Sequence, residues 1–361
     1  SVVCRPSSFS GRQKKEKETM SIRQLSRLTH RLGILLTLSV MLMISPMTQA
    51  TETQAGWQQF KARYITPEGR VIDSANQNIS HSEGQGYGML MAVMSDDRQT
   101  FAQLWHWTAM SLYRGDLGLF KWRYEPENNQ HTPDPNNATD GDILIAWALL
   151  KAGEKWHDES YLSASDSIQH AILEHTLVKT ENYSVLLPGI NGFKTPEEII
   201  INPSYFIFPA WKDFYRVSHD SRWKNLINDS QSLLRKMRFG KYKLPSDWVS
   251  LYPDGHLAPS EKWPARFSFD AIRIPLYLAW AQDKLALQPF VNYWQQFDRD
   301  KTPAWISIDG KERADYNLTP GMMAVRDLTM KTVIENVDLT KDTDYYSSAL
   351  HLLAAFAQNN N

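Results

Sequence analysis

The stretch ATDGDILIAWALL, residues 138–150, begins with polar, small and acidic residues and then turns apolar. Thr139, Asp140, Gly141 and Asp142 read as a helix start, where acids complement the free amide groups of the first turn, and Ile143 to Leu150 read as the helix that follows. Two other stretches open the same way. Ser82-Glu83-Gly84-Gln85 fits a capping box with Ser82 as N-cap and Gln85 at N3, which puts Glu83 at N1 of a helix through Tyr87, Met89, Leu90 and Val93. Ser268-Phe269-Asp270-Ala271 opens a third, continuing through Ile272, Arg273 and Leu276.

Outward from these starts, apolar residues recur at three- and four-residue spacing over 54–65, 83–95, 97–113, 140–156, 160–178, 204–217, 220–238, 268–283, 286–298, 320–328 and 344–358. Strand-like alternation is confined to short pieces such as Ser184 to Leu187 and Trp305 to Ile308. Ten to twelve helices with short connections predict an all-α protein of stacked helical hairpins, and without a repeating motif a closed α/α toroid is the better expectation than an open solenoid. A toroid gathers the N-termini of alternate helices at one end. The acids Glu83, Asp140 and Asp270 would then share a site, whereas each alone reads as ordinary dipole complementation.

The surrounding residues add to that reading. Gly84, Gly86 and Gly88 leave the start of the first helix almost bare, at a cost of about 1 kcal/mol each relative to Ala, so close approach of a ligand or a neighbouring helix is expected there. Tyr87 stands among them as a ring, and Arg273 lies one turn from Asp270, close enough to orient its carboxylate.

Composition narrows the classes of function. The chain has 361 residues, 42% hydrophobic and 22% charged, an ordinary globular balance that excludes disorder and a multi-span membrane protein. Residues 20–50 read as a secretory signal peptide: Arg23, Arg27 and Arg31 precede an apolar run from Leu32 to Ile44, and Thr48-Gln49-Ala50 supplies a cleavage site after Ala50. Residues 1–19 read as upstream sequence or a misassigned start, and 51–361 as a single catalytic domain. Eight of the 39 Lys and Arg and two of the 40 Asp and Glu fall in the first fifty residues, leaving 31 basic and 38 acidic residues, a net charge of −7. That charge disfavours nucleic acid and anionic membrane surfaces as partners, and a cleaved signal leaves no stable membrane insertion. The one cysteine, Cys4, lies outside the expected mature chain, so cysteine nucleophiles and CxxC sites are excluded. HExxH and GxSxG are absent, which argues against a zinc protease or serine hydrolase, and no metal or other cofactor is expected. The 13 Trp exceed what core filling needs. Trp122, in the irregular stretch Gly115 to Pro135, is the best candidate for an indole platform facing a ligand, whereas Trp147 and Trp280 read as core.

At these residues the sequence resembles glycoside hydrolase family 8. HSEGQGYGM (81–89), ATDGDILIAWALL (138–150), NPSYF (202–206) and FSFDAIRIPLYLAW (267–280) are similar to that family's motifs, in the same order. The resemblance implies an (α/α)6 barrel and endo-hydrolysis of β-1,4-glucan with inversion at the anomeric carbon. It further implies Glu83 as general acid, Asp270 as general base, Asp140 holding the distorted sugar at the cleavage point, and Arg273 and Tyr205 as neighbouring substrate-binding residues. Within the family the chain looks most like the compact exported form that accompanies bacterial cellulose synthesis, which implies a periplasmic or secreted protein beside a cellulose synthase complex. Phe269 stands where a Tyr-like ring is the family expectation. The family's xylanases and chitosanases keep those substrates open, and a non-hydrolytic glycan-binding or scaffold role is the alternative from another class of function. A helix N-terminus favours an ionised carboxylate, which suits Asp270 but opposes Glu83 as acid, so a nearby negative charge is needed and Asp140 is the candidate.

Overall fold

The computed structural model describes residues 52–334 and 337–360; the expected signal segment lies outside the described residues. Helix α1 covers 52–64, followed by α2 (Ser82–Met94), α3 (Arg98–Ser111), α4 (Thr139–Trp156), α5 (Glu159–Thr176), α6 (Phe208–Ser218), α7 (Ser221–Lys236), α8 (Arg273–Trp280), α9 (Lys284–Trp294), α10 (Pro320–Thr329) and α11 (Tyr345–Asn359). Each corresponds to a periodic segment of the sequence. The largest difference is the segment expected as a helix over 268–283, where regular helix begins only at Arg273.

Two kinds of helix build two layers. In α4 every residue from Thr139 to Leu150 is buried, and α11 buries all but Tyr346, Gln358 and Asn359; helices apolar on all sides belong inside. In α7, Trp223, Leu226, Ser230, Leu233 and Leu234 form a single buried stripe, and the opposite face meets solvent. The inner helices close a ring: α2 packs on α4, α4 on α6, α6 on α8, α8 on α10, α10 on α11, and α11 back on α2. Outside them, α3 backs α2, α5 backs α4, α7 backs α6 and α9 backs α8. Helix α1 lies on α11, joined by the Tyr64 hydroxyl to Ser348 Oγ at 3.0 Å. The protein is an (α/α)6 barrel.

Strands are short and serve as rims. The longest assembly is the antiparallel sheet Ile199–Ile201, Val249–Leu251 and Leu257–Pro259, in which the middle strand pairs Ile200 with Ser250 and Ser250 with Ala258. Ser184–Leu186 and Ile306–Ser307 are strands where alternation predicted them. No helix among the described residues is long and apolar enough to cross a membrane.

The glycines near the site serve a neighbouring helix. A Cβ on Gly86 would stand 2.5 Å from Leu144 Cβ, and one on Gly141 would stand 2.1 Å from Ser82 Oγ. The N-terminal turns of α2 and α4 therefore pack closely, Ser82 seated on Gly141 and Leu144 on Gly86. That contact brings Glu83 and Asp140 together.

Candidate active site

Three of the inner helices deliver their first turns, or the turn just before, to one point. Glu83 lies in the first turn of α2 and Asp140 in the first turn of α4, while Asp270 sits in a turn that precedes α8 by three residues. The arginine that begins α8 joins them. Arg273 Nη1 donates to Glu83 Oε2 at 2.5 Å and to Asp140 Oδ2 at 3.2 Å; Nη2 donates to Asp270 Oδ1 at 2.5 Å and to Ser204 Oγ at 2.9 Å. The Arg273 side chain is 3% exposed and that of Asp140 also 3%, against 17% for Glu83 and 34% for Asp270. Glu83, Asp270 and Arg273 line a cavity of about 320 Å³ with Phe269, Tyr346, Asp73 and Asp344. Asp140 lies beneath its floor.

Local chemistry explains how α2 starts. His81, not Ser82, is the N-cap: its Nδ1 accepts the Gly84 amide at 3.0 Å, and its Nε2 pairs with Asp73 at 3.2 Å. Accepting through Nδ1 places the proton on Nε2. Glu83 is thus at the second helical position rather than the first, and Ser82 Oγ, pressed against Gly141, has no partner. Gln85 does not close a capping box either. Its Oε1 accepts the Val71 amide and its Nε2 donates to Gly69 O and Thr108 Oγ1, tying α2 to the preceding loop and to α3. On α4 the cap position is Ala138, and the Thr139 hydroxyl donates to Leu187 O instead. Glu83 and Asp140 lie in first helical turns as expected, whereas Asp270 lies in a turn ahead of its helix and the expected caps are replaced.

Electrostatics separate the carboxyls. Burial, then the Glu83 carboxylate, pushes Asp140 up to about 7 against the pull of Arg273 and the Gly141 amide. A hydrogen bond to Glu83 adds to that rise. Asp270 is also raised, by burial first and by Glu83, with Arg273 working the other way. The expectation that its surroundings simply favour its ionised form is corrected: desolvation outweighs the adjacent guanidinium. Burial opposes the charge of Arg273, but Tyr346, Glu83, Tyr87 and Asp270 hold it protonated.

Other expected residues divide. Tyr205 is brought to the site, half-buried, its ring centroid 5.7 Å from the Arg273 guanidinium. Trp122 is partly exposed beside the mouth, its carbonyl accepting the Ser82 amide and its Nε1 donating to Asp134 at 2.7 Å, but it does not line the cavity. Tyr87 is corrected: it is fully buried, its hydroxyl 2.6 Å from that of Tyr277, and so is a core ring beneath the site rather than a substrate contact. Trp147 and Trp280 meet edge to face in the core. Sequence reasoning missed Ser204, Tyr345, whose hydroxyl donates to Glu83 Oε1 at 3.4 Å, and Asp247, which carries no motif of its own. Among the described residues no group of three or more His, Cys, Asp or Glu is placed to hold a metal ion.

Comparison with known proteins then decides the family. Residues 34–360 match the description "Glycosyl hydrolases family 8". This chain belongs to that family. It is 48% identical to an endoglucanase of Cellulomonas uda over 288 residues, covering 80% of each sequence. Among solved structures, endoglucanase Cel10 of Klebsiella pneumoniae superposes with a TM-score of 0.83 at 46% identity, covering 85% of this chain and 99% of that one. The endo-β-1,4-glucanase CMCax of Acetobacter xylinum does so with a TM-score of 0.80 at 36% identity, covering 86% and 98%. The family 8 fold and the four motifs thus coincide with the cluster around Arg273.

Proposed function

We propose that this family 8 enzyme cleaves internal β-1,4-glucosidic bonds of cellulose or a related β-glucan by inversion, with Glu83 as general acid and Asp270 as general base. The observation that carries the reading is the single buried guanidinium of Arg273, which binds Asp140 and also Glu83 and Asp270, the two acids that line one cavity with it. The names of the relatives support the substrate class. Inversion requires one carboxylic acid to protonate the leaving oxygen while a carboxylate on the other side of the sugar activates water. Asp270, the most exposed of the three, is the one that can reach a water in the cavity. A base raised toward the working pH also accepts a proton with more driving force. Glu83 takes a proton from Asp140, its hydrogen-bonded neighbour, and delivers it to the departing sugar. Tyr205 and Arg273 border the bound sugar, and Trp122 at the mouth offers an indole face to a neighbouring ring. Export of residues 51–361 as one catalytic domain to the periplasm or medium, and work beside a cellulose synthase complex, belong to the same reading.

The stereochemistry of the first product tests it. Hydrolysis of a β-glucan followed by proton NMR before mutarotation is expected to show the α-anomer, since water rather than Asp270 attacks the anomeric carbon. A β-anomer as first product overturns the assignment of Asp270 as base.

Asp140 gives a second expected result. Asp140→Asn removes the acid pushed up to about 7 beside Glu83, so the alkaline limb of kcat/KM that its titration shapes is displaced, and kcat falls by more than about tenfold. Asp142 is no innocuous control, because it is fully buried and accepts the Phe120 amide at 2.8 Å and Asn137 Nδ2 at 2.9 Å. Glu159, an exposed acid in the first turn of α5, is suitable: Glu159→Gln changes stability by about 0.3 to 1 kcal/mol and activity not at all. An Asp140→Asn enzyme with unchanged kcat and an unmoved alkaline limb contradicts the pairing.

A further inference from the structure

Asp270 is the only one of the three acids that no helix holds. It stands in a turn between Phe267, the end of a two-residue strand, and the start of α8, next to the exposed Phe269. Arg273 grips its carboxylate, yet the same guanidinium also serves Glu83, Asp140 and Ser204. A second restraint comes from a different part of the chain. Asp247 Oδ1 accepts the backbone amide of Ser268 at 3.0 Å and that of Ala271 at 2.9 Å, one on each side of Asp270. Asp247 is itself anchored, its amide donating to Arg266 O at 2.8 Å. The next residue, Trp248, is stacked between Phe193 at 5.7 Å and Trp263 at 4.2 Å, with its edge relation to Tyr205 at 6.3 Å.

We propose that Asp247 is a positioning residue for the base: through one oxygen it clamps both flanks of the Asp270 turn and ties that turn to the aromatic stack at Tyr205. The inference rests on the reading of Asp270 as base. A reacting carboxylate displaced by about 1 Å loses up to about 10²-fold in rate, so a clamp that leaves substrate contacts alone acts on kcat. Because both amides share a single oxygen, and a carbonyl oxygen has two lone pairs, an asparagine can replace the aspartate.

Steady-state kinetics on a soluble cello-oligosaccharide test it. Asp247→Ala is expected to lower kcat by about tenfold or more with KM within about twofold, and Asp247→Asn to restore kcat to within about threefold of the native enzyme. Asp247→Ser, too short to reach both amides, takes the place of the alanine variant should that chain not fold, with the same loss expected. Native kcat in the alanine or serine variant, a KM that rises in step with the loss, or an asparagine variant as impaired as alanine overturns the proposal. Failure of the underlying reading shows separately, as a Glu83→Gln enzyme that keeps its turnover or as a β-anomer product.

Discussion

Glu83→Gln is expected to lower kcat on a cellulosic polymer by at least about 10²-fold while cello-oligosaccharide binding stays nearly intact. The substitution is isosteric. Its amide oxygen can still accept from Arg273 Nη1 while its Nε2 donates to the Tyr345 hydroxyl, so the neighbouring side chains keep their places, but it has no acidic proton to give to a leaving sugar of high basicity. A reducing-sugar assay with calorimetric titration of a non-cleaved oligosaccharide separates the two quantities. Turnover near that of the native enzyme removes Glu83 from the role of acid, and with it the proton path from the Asp140 pair. The same assay answers the alternative of a glycan-binding protein without turnover: native activity that depends on Glu83 is incompatible with it. Run on xylan and chitosan, it also reports which backbone the cavity accepts.

Arg273→Met is expected to be the most destabilising single change at the site, by about 3 to 5 kcal/mol near neutral pH, and to abolish measurable activity. The guanidinium is 3% exposed and is bound to three carboxyls drawn from α2, α4 and the turn before α8. Without it, like charges face one another in a desolvated place. The sign of the pH dependence follows. Asp140, at about 7, and Asp270, also raised, take up protons as pH falls, and this relieves the repulsion left by the missing cation. The stability gap between Arg273→Met and the native protein is therefore largest above pH 7 and narrows toward pH 5, as urea titrations at several pH values would record. A gap independent of pH means that packing rather than charge accounts for the loss. Arg273→Lys should rescue little, since one ammonium cannot serve the Glu83 side and the Asp270 side as the two arms of the fork do.

Much of the fold was legible because a helix depends on near neighbours. Apolar residues three and four apart produce the stripe of α7 and the fully buried α4 wherever they are placed in a chain, so number, extent and class of the helices followed from spacing. Acids at the starts of α2 and α4 and the three-residue step from Asp270 to Arg273 are local features too, although Asp270 itself lies in a turn ahead of its helix. Tertiary structure decided what those groups do. Arg273 is 190 residues from Glu83 and 133 from Asp140, and no spacing rule spans such distances. The cap of α2 fell to His81 because Gly141 packs against Ser82, and Tyr87 left the list of substrate contacts because Tyr277, again 190 residues away, holds its hydroxyl in the core. Asp142, two positions from Asp140 and alike in sequence, became a buried structural acid pushed up to about 8, whereas Asp140 came to lie against Glu83 and Arg273, pushed up to about 7. Secondary structure is set by which residues lie three and four apart; proton affinity is set by how much water a fold removes and which charge it puts in its place, and only the closed barrel determines either.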